Sequence, residues 1–344
     1  MGESMAGNNQ NEKVTAYRNM LQSIVEQNFP KSRQNARVSE FKKLIEGLAA
    51  GNYEVMLFHQ GLGETCVFAM LAGAYKEKTR KPLVILTLSN SRAEILRQCP
   101  YIDSVMNCDE EIFYTIAADM EFRERLQIKN FWELHYLYEG ANMREKVYRY
   151  LELPSHIPYT RYPLNSGEFP VLRQLFDELG LQEGKTVFLI PSAIYYGDEV
   201  VSLSFWEKLT EGLKEAGYQA VFNAPEEVVE GAAHVYLSME NVTDFSKLCG
   251  NVVGVRTGLL DVIGVFSNVR IQAIYPNEFC PVWEKNAGIL EESGTEDRKA
   301  AAQFHLREKT VSELADRNNI FEFIHGEEEE DIRRIVGQLE RYPL

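Results

Sequence analysis

The sequence predicts an α/β protein made of two Rossmann-like domains, each a parallel sheet wrapped by helices, behind an N-terminal helical extension. Three observations predict it. The chain has 344 residues, 45% of them hydrophobic and 25% charged, which is globular composition and, at roughly 100 to 200 residues per domain, length enough for two. Short apolar runs alternate with stretches of helical spacing in two separate blocks. In each block a strand breaks into a glycine-bearing turn and resumes as a helix.

The elements follow in order. Val14, Tyr17, Leu21, Ile24 and Val25, and then Val38, Phe41, Leu44, Ile45 and Leu48, recur at helical spacing and form the extension, residues 1–50. Tyr53 to Phe58 is the first strand. It runs into Gly61-Leu62-Gly63 and a helix from Glu64 to Lys78. Leu83 to Leu88 is a second strand, Ser91 to Gln98 a helix and Ser104 to Asn107 a third strand. Glu110 to Leu151 has helical spacing and no strand character, so it reads as helices. Between Leu153 and Pro170 fall four of the twelve prolines and Asn165-Ser166-Gly167, which mark a linker. The first domain is therefore assigned to 51–165 and the second to 166–344.

In the second block the expected strands are Thr186 to Ile190, Tyr218 to Asn223, His234 to Leu237, Asn251 to Val255 and Val269 to Tyr275. The expected helices are Ser204 to Ala216, Thr243 to Cys249, Gly258 to Phe266 and one beginning near Glu327. Glu291 to Lys299 reads as an exposed loop.

Charge and composition exclude several classes. With 36 basic against 51 acidic residues the formal charge is −15, a field that repels nucleic-acid phosphates. Nowhere do the ~20 consecutive apolar residues of a membrane helix occur, and no signal-peptide core precedes Lys13. Cys66, Cys99, Cys108, Cys249 and Cys280 are odd in number and never spaced as CxxC, which suits a reducing cytoplasm and neither a disulfide framework nor a zinc knuckle. The six histidines lack HxxxH spacing, and the acidic run Glu327 to Asp331 matches a helix's first turn, so no metal site is expected.

Chemistry concentrates at three strand ends, where open parallel sheets bind ligands. His59-Gln60-Gly61-Leu62-Gly63-Glu64-Thr65 brings an acid into the first turn of a helix. Glu64 is either a solvated, dipole-matched acid or a catalytic one, and spacing alone does not choose. Gly254-Val255-Arg256-Thr257-Gly258-Leu259-Leu260-Asp261 sets Arg256 beside a helix whose free amides suit a pyrophosphate, with Thr257 as the cap. A surface ion pair of Arg256 with Asp261 or a glutamate is the competing reading, less favoured because glycines flank the arginine. Pro191-Ser192-Ala193 is a turn after the strand Thr186 to Ile190.

Taken together, the Gly-Leu-Gly-acid turn, the Pro-Ser-Ala turn, Ser204-Phe205-Trp206-Glu207-Lys208-Leu209 and the late Gly-x-Arg-Thr-Gly turn ending in Ile274-Tyr275-Pro276 resemble the heptosyltransferase-type glycosyltransferases. The resemblance spans roughly Glu54 to Pro276. It implies the GT-B fold, two Rossmann-like domains facing a cleft, acceptor-side first and donor-side second. It further implies inverting, metal-independent transfer of a sugar from a nucleotide diphosphate to an acceptor hydroxyl, without a cofactor, in surface glycan or polysaccharide synthesis.

Carried over by position, the resemblance makes Glu64 the base and Gly61 and Gly63 the acceptor-side loop. It gives Ser192, Arg256, Thr257, Gly258, Asp261 and Tyr275 to the donor. The sequence departs from the family's pattern in three places. Glu64 replaces an aspartate, Arg256 stands where an aspartate is usual, and Asp261 occupies the helix where a histidine is expected. The partners implied are a nucleotide sugar and a carbohydrate or lipid-linked glycan, with peripheral membrane contact left open by the amphipathic extension. An epimerase or hydrolase of nucleotide sugars, and a non-catalytic nucleotide-sugar-binding protein, are the alternatives.

Overall fold

The computed structural model describes residues 3–32, 35–88, 90–138, 141–164, 167–191, 201–276 and 310–341. Ser192, Cys280, His305 and the loop Glu291 to Lys299 fall outside them. The chain divides into two compact units, Met1–Tyr162 and Pro163–Leu344.

The first unit opens with helices α1 (Glu3–Asn28) and α2 (Ala36–Ala50). There follow β1 (Glu54–Phe58), α3 (Leu62–Thr79), β2 (Leu83–Thr87), α4 (Asn90–Gln98) and β3 (Ser104–Asn107). Then come α5 (Glu110–Ala118), α6 (Met120–Leu126), β4 (Lys129–Asn130), a 3-10 turn Phe131–Glu133, α7 (Leu134–Leu137) and α8 (Met143–Tyr150). The strands form one parallel sheet in the order β3-β2-β1-β4.

Helices cover both faces, so β1 and β2 are buried along their whole length and read as unbroken apolar runs. Side chains still alternate between the faces. Val55 and Leu57 share a core with Tyr17, Leu21, Val38 and Ile45 of the leader helices, while Phe58 turns the other way to meet Phe68 of α3 at 5.0 Å. The leader helices are thus built into this unit's core. Helix α3 also packs against α4 and α8, which is why it is apolar all round rather than amphipathic.

Strand β4 corrects the expectation of helices alone from Glu110 to Leu151. It is two residues long and not apolar, and it exists because the free edge of β1 pairs with it, Met56 against Lys129 and Leu57 against Asn130.

The second unit runs α9 (Phe169–Glu178), β5 (Thr186–Ile190), α10 (Leu203–Glu215), β6 (Gln219–Asn223), β7 (Ala233–Val235) and α11 (Met239–Cys249). It continues with β8 (Gly250–Val255), α12 (Gly258–Phe266), β9 (Arg270–Tyr275), the short helix Val311–Ala315, β10 (Ile320–Ile324) and the helix Glu328–Arg341. Its sheet is parallel throughout, in the order β10-β9-β8-β5-β6-β7. On one face Phe205, Trp206 and Leu209 of α10 pack with Ile335 and Leu339 against Val187 and Leu189. On the other, Phe188 meets Phe245 of α11 at 5.3 Å.

Three elements of this unit escaped the sequence pattern: α9, the short helix Val311–Ala315 and β10. Helix α9 begins inside the proline-rich span because Pro170 sits in its first turn, where its missing N–H costs nothing. Strand β10 carries a glutamate, Glu322, whose carboxylate accepts hydrogen bonds from the Tyr275 hydroxyl and from the Val311 and Ser312 amides.

Candidate functional site

Each sheet has a point where strand order reverses, and there the loops part to leave a crevice at the strands' carboxyl ends. In the first unit that point lies between β1 and β4, and in the second between β5 and β8. The glycine turns follow β1 and β8, and Pro191 follows β5.

In the first unit Gly61 is the N-cap of α3, which places Glu64 at the third helical position. The carboxylate curls back over the cap, so closely that a Cβ at Gly61 would stand 2.4 Å from Glu64 Oε2. This is the capping-box position, in which an acid serves the amino end of its own helix. Glu64 is only 7% exposed. Gly61 is therefore required for space rather than for conformation, its φ being −62°.

Four side chains around this turn were not assigned from sequence. The main-chain carbonyl of Gln60 accepts from Arg92 Nε at the start of α4, and its side-chain oxygen lies 2.7 Å from His135 Nε2 in α7. Gln60 is 4% exposed, and its Nε2 is buried with no hydrogen-bond partner among the described residues. The His59 ring stacks on Trp132 at 5.1 Å, and burial together with the Arg92 charge pushes its pKa down to about 4, so the imidazole is neutral at physiological pH. His59 and Gln60 were adjacent to the noted glycines. Arg92 and His135 arrive from other loops, and no spacing could have pointed to them.

In the second unit β8 approaches β5 so tightly that a Cβ at Gly254 would lie 2.7 Å from Ile190 Cβ. Beyond that contact, Arg256 Nη2 lies 2.9 Å from Asp261 Oδ1 as an ion pair, and Nη1 donates to the Thr257 carbonyl at 2.8 Å. The Arg256–Asp261 pair, less favoured in the sequence, is therefore present, and it is buried rather than on the surface, with side chains 9% and 3% exposed. Thr257 is the N-cap of α12 but makes no side-chain cap bond, and Gly258 is the first helical residue. The result is a cation, paired with a carboxylate, beside a helix amino-terminus that the Thr257 side chain leaves unbonded.

Tyr275 adjoins this group, within reach of the Arg256 and Asp261 charges, but does not open onto a ligand. Its ring is 1% exposed and its hydroxyl is 2.5 Å from Glu322 Oε1, while burial raises its pKa well above the usual tyrosine value. It is a packed core residue in the described structure, with no face left for a base.

Among the described residues no group of three or more His, Cys, Asp or Glu is gathered so as to hold a metal ion. None of the described helices is long and apolar enough to cross a membrane.

Two parallel-sheet units with glycine turns at their switch points define a tandem Rossmann-like α/β protein. No protein-family model and no curated sequence matches the chain. Among solved structures, a glycosyl transferase of family 9 from Veillonella parvula superposes with a TM-score of 0.52 at 11% identity, covering 84% of this chain and 97% of that one. The ADP-heptose lps heptosyltransferase II of E. coli gives a TM-score of 0.46 at 12% identity, over 65% of this chain and 84% of that one. The likeness to the first is one of fold, that of the GT-B glycosyltransferases.

Proposed function

We propose that the chain is a glycosyltransferase that moves a sugar from a nucleotide-diphosphate donor to an acceptor hydroxyl, with inversion and without a metal ion. The acceptor oxygen attacks the anomeric carbon as the bond to the diphosphate breaks, and the hydroxyl proton passes to Glu64. The departing diphosphate takes its charge to the amino-terminus of α12, where the first-turn amides and Arg256 stabilise it. The observation that carries this reading is Arg256, a buried arginine held beside a helix amino-terminus that the Thr257 side chain does not cap, at a topological switch point in a chain of net charge −15. The fold supports it. Arg92 and Gln60 hold the turn that bears Glu64 and are assigned to its positioning. The cysteine pattern and the charge suit a cytoplasmic enzyme working on a carbohydrate or lipid-linked glycan.

The test is a thermal-shift screen across nucleoside diphosphates, followed by product analysis with the donor so identified. A ligand at 100 times its Kd stabilises the native state by about 2.7 kcal/mol, well within detection. Because Arg256 neutralises a buried carboxylate, its role is tested with Arg256→Lys, which keeps the charge and loses the planar fork. Unchanged diphosphate affinity in that variant would refute the phosphate assignment.

A second reading, a nucleotide-sugar-binding protein without turnover, is favoured by one observation: Glu64 lies over its own helix cap. Glu64→Gln separates the two. Under the first reading donor affinity persists and transfer collapses; under the second the wild type itself binds donor and transfers nothing.

A further inference from the structure

The first unit holds a pocket that neither glycine turn uses. It has a volume of about 470 Å³ and lies between α2, the carboxyl ends of β2 and β3, and the first turn of α5. Phe41, Leu44 and Leu88 form its apolar walls, and Glu40, Asn107 and Asp109 bring planar hydrogen-bonding groups to it. Leu44 is 47% exposed, on a helix that buries Val38 and Ile45 against the core.

The wall is fastened in place. Asn35 Nδ2 donates to Glu111 Oε2 at 2.9 Å, Arg37 Nη2 to Asp109 Oδ2 at 2.6 Å, and Lys42 Nζ to Asp119 Oδ2 at 2.5 Å, so α2 is tied to α5 and its flanks at three points. The volume is that of a preformed small-molecule site.

The lining selects the ligand. A ring such as Phe41 offers a face to the C–H groups of a sugar, and carboxylate and carboxamide groups accept and donate to adjacent hydroxyls in one plane. Glu40 and Asp109 disfavour a phosphate or carboxylate, and Arg37, the cation among the described lining residues, is engaged by Asp109, whose other oxygen accepts from the Ile112 amide. The chemistry is that of a neutral sugar.

Strand register gives the spacing. Phe58, Thr87 and Asn107 lie in one row across the sheet, so the pocket begins at Leu88, one strand from the end of β1 where the Glu64 turn begins, and reaches Asn107, two strands or roughly 10 Å away. One sugar ring does not span that distance, and a short oligosaccharide does.

We propose that this pocket is a carbohydrate subsite of the acceptor, remote from the reacting hydroxyl, so that the acceptor is a neutral oligosaccharide and not a single sugar. The assignment rests on the glycosyltransferase reading. Its test is saturation-transfer NMR and calorimetry on the full chain with malto-, chito- and manno-oligosaccharides of one to five residues.

The expected result is at least one series whose affinity rises tenfold or more beyond the monosaccharide. Leu44→Arg, which fills the pocket from an exposed position, and Glu40→Ala should abolish that rise. Both variants should keep the nucleoside-diphosphate thermal shift of the wild type. Absence of binding in every series, or a rise that both variants retain, overturns the subsite. So does binding of n-octanol equal to that of n-octyl glucoside, which would mark an alkyl-chain pocket. If the pocket fails while the diphosphate shift persists, the glycosyltransferase reading stands; if no diphosphate binds, that reading fails independently.

Discussion

The β1–α3 and β8–α12 turns share one design, a buried parallel strand ending at a switch point and a helix starting within a few residues, yet they dispose of their acids in opposite ways. Glu64 folds over its own cap glycine and fills the amino-terminus of α3 with negative charge. Asp261 lies one position further along its helix and pairs with Arg256, while Thr257, like Gly61, makes no side-chain cap bond. A shift of a single position, together with an arginine before the helix, separates an amino-terminus overlain by its own acid from one flanked by a cation.

The sharpest way to break that comparison is to remove each turn's charge. Arg256→Ala leaves Asp261, 2% exposed, without its cation and is expected to cost about 3–5 kcal/mol by urea unfolding, most of it recovered in the Arg256→Met/Asp261→Leu pair. Glu64→Gln removes only a helix-end charge and should cost about 1 kcal/mol or less. Equal losses would mean that the two acids are structurally alike.

Next in size is a pH effect confined to the first turn. The His59 pKa falls from 6.5 to about 4 on folding, chiefly through burial, so the unfolded chain binds more protons between those values. Stability is full above pH 6.5, declines as pH falls toward 4 by on the order of 3 kcal/mol, and is level below that with respect to this group. His59→Phe should flatten that segment of the stability profile.

The glycines separate the turns at smaller cost. Gly254→Ala drives a methyl against Ile190 Cβ and the Ile190 carbonyl and should destabilise by about 1–3 kcal/mol. Gly61→Ala meets only the mobile end of Glu64, so it should cost less in a melt while lowering turnover by displacing the carboxylate.

The caps give the smallest contrast. Ser202 Oγ accepts from the Phe205 amide at the head of α10, and Ser202→Ala should cost about 1 kcal/mol. Thr257→Ala should change stability little, because Thr257 caps nothing with its side chain.

Much of the fold was legible because buried parallel strands are short apolar runs punctuated by glycine. Thr186–Ile190 and the helix Gly258–Phe266 coincide with their sequence assignments residue for residue, and so does the edge strand Ser104–Asn107, although none of its residues is buried. The acidic start of the helix Glu328–Arg341 was also readable. Glu328 binds Ser202 and Lys208, and Asp331 accepts from the Gly326 amide and lies 2.9 Å from His325 Nδ1, which is cap chemistry. Strand β4 was illegible because an edge strand of two residues is defined by its partner and carries no pattern of its own.

At the candidate site the sequence located the turns but not their partners. His59 and Gln60 were seen as neighbours of glycine, and nothing in the chain announced that Arg92 and His135 would close on Gln60 from 32 and 75 residues away.

By itself the sequence determined that strands would alternate with helices and that glycine turns would fall at strand ends, because hydrophobic periodicity and backbone freedom are local properties. Only the tertiary structure decided which charges meet. The pairing of Arg256 with Asp261, the burial of Tyr275 against Glu322 and the tying of α2 over a pocket depend on distances and solvent access that exist only once the sheets are assembled.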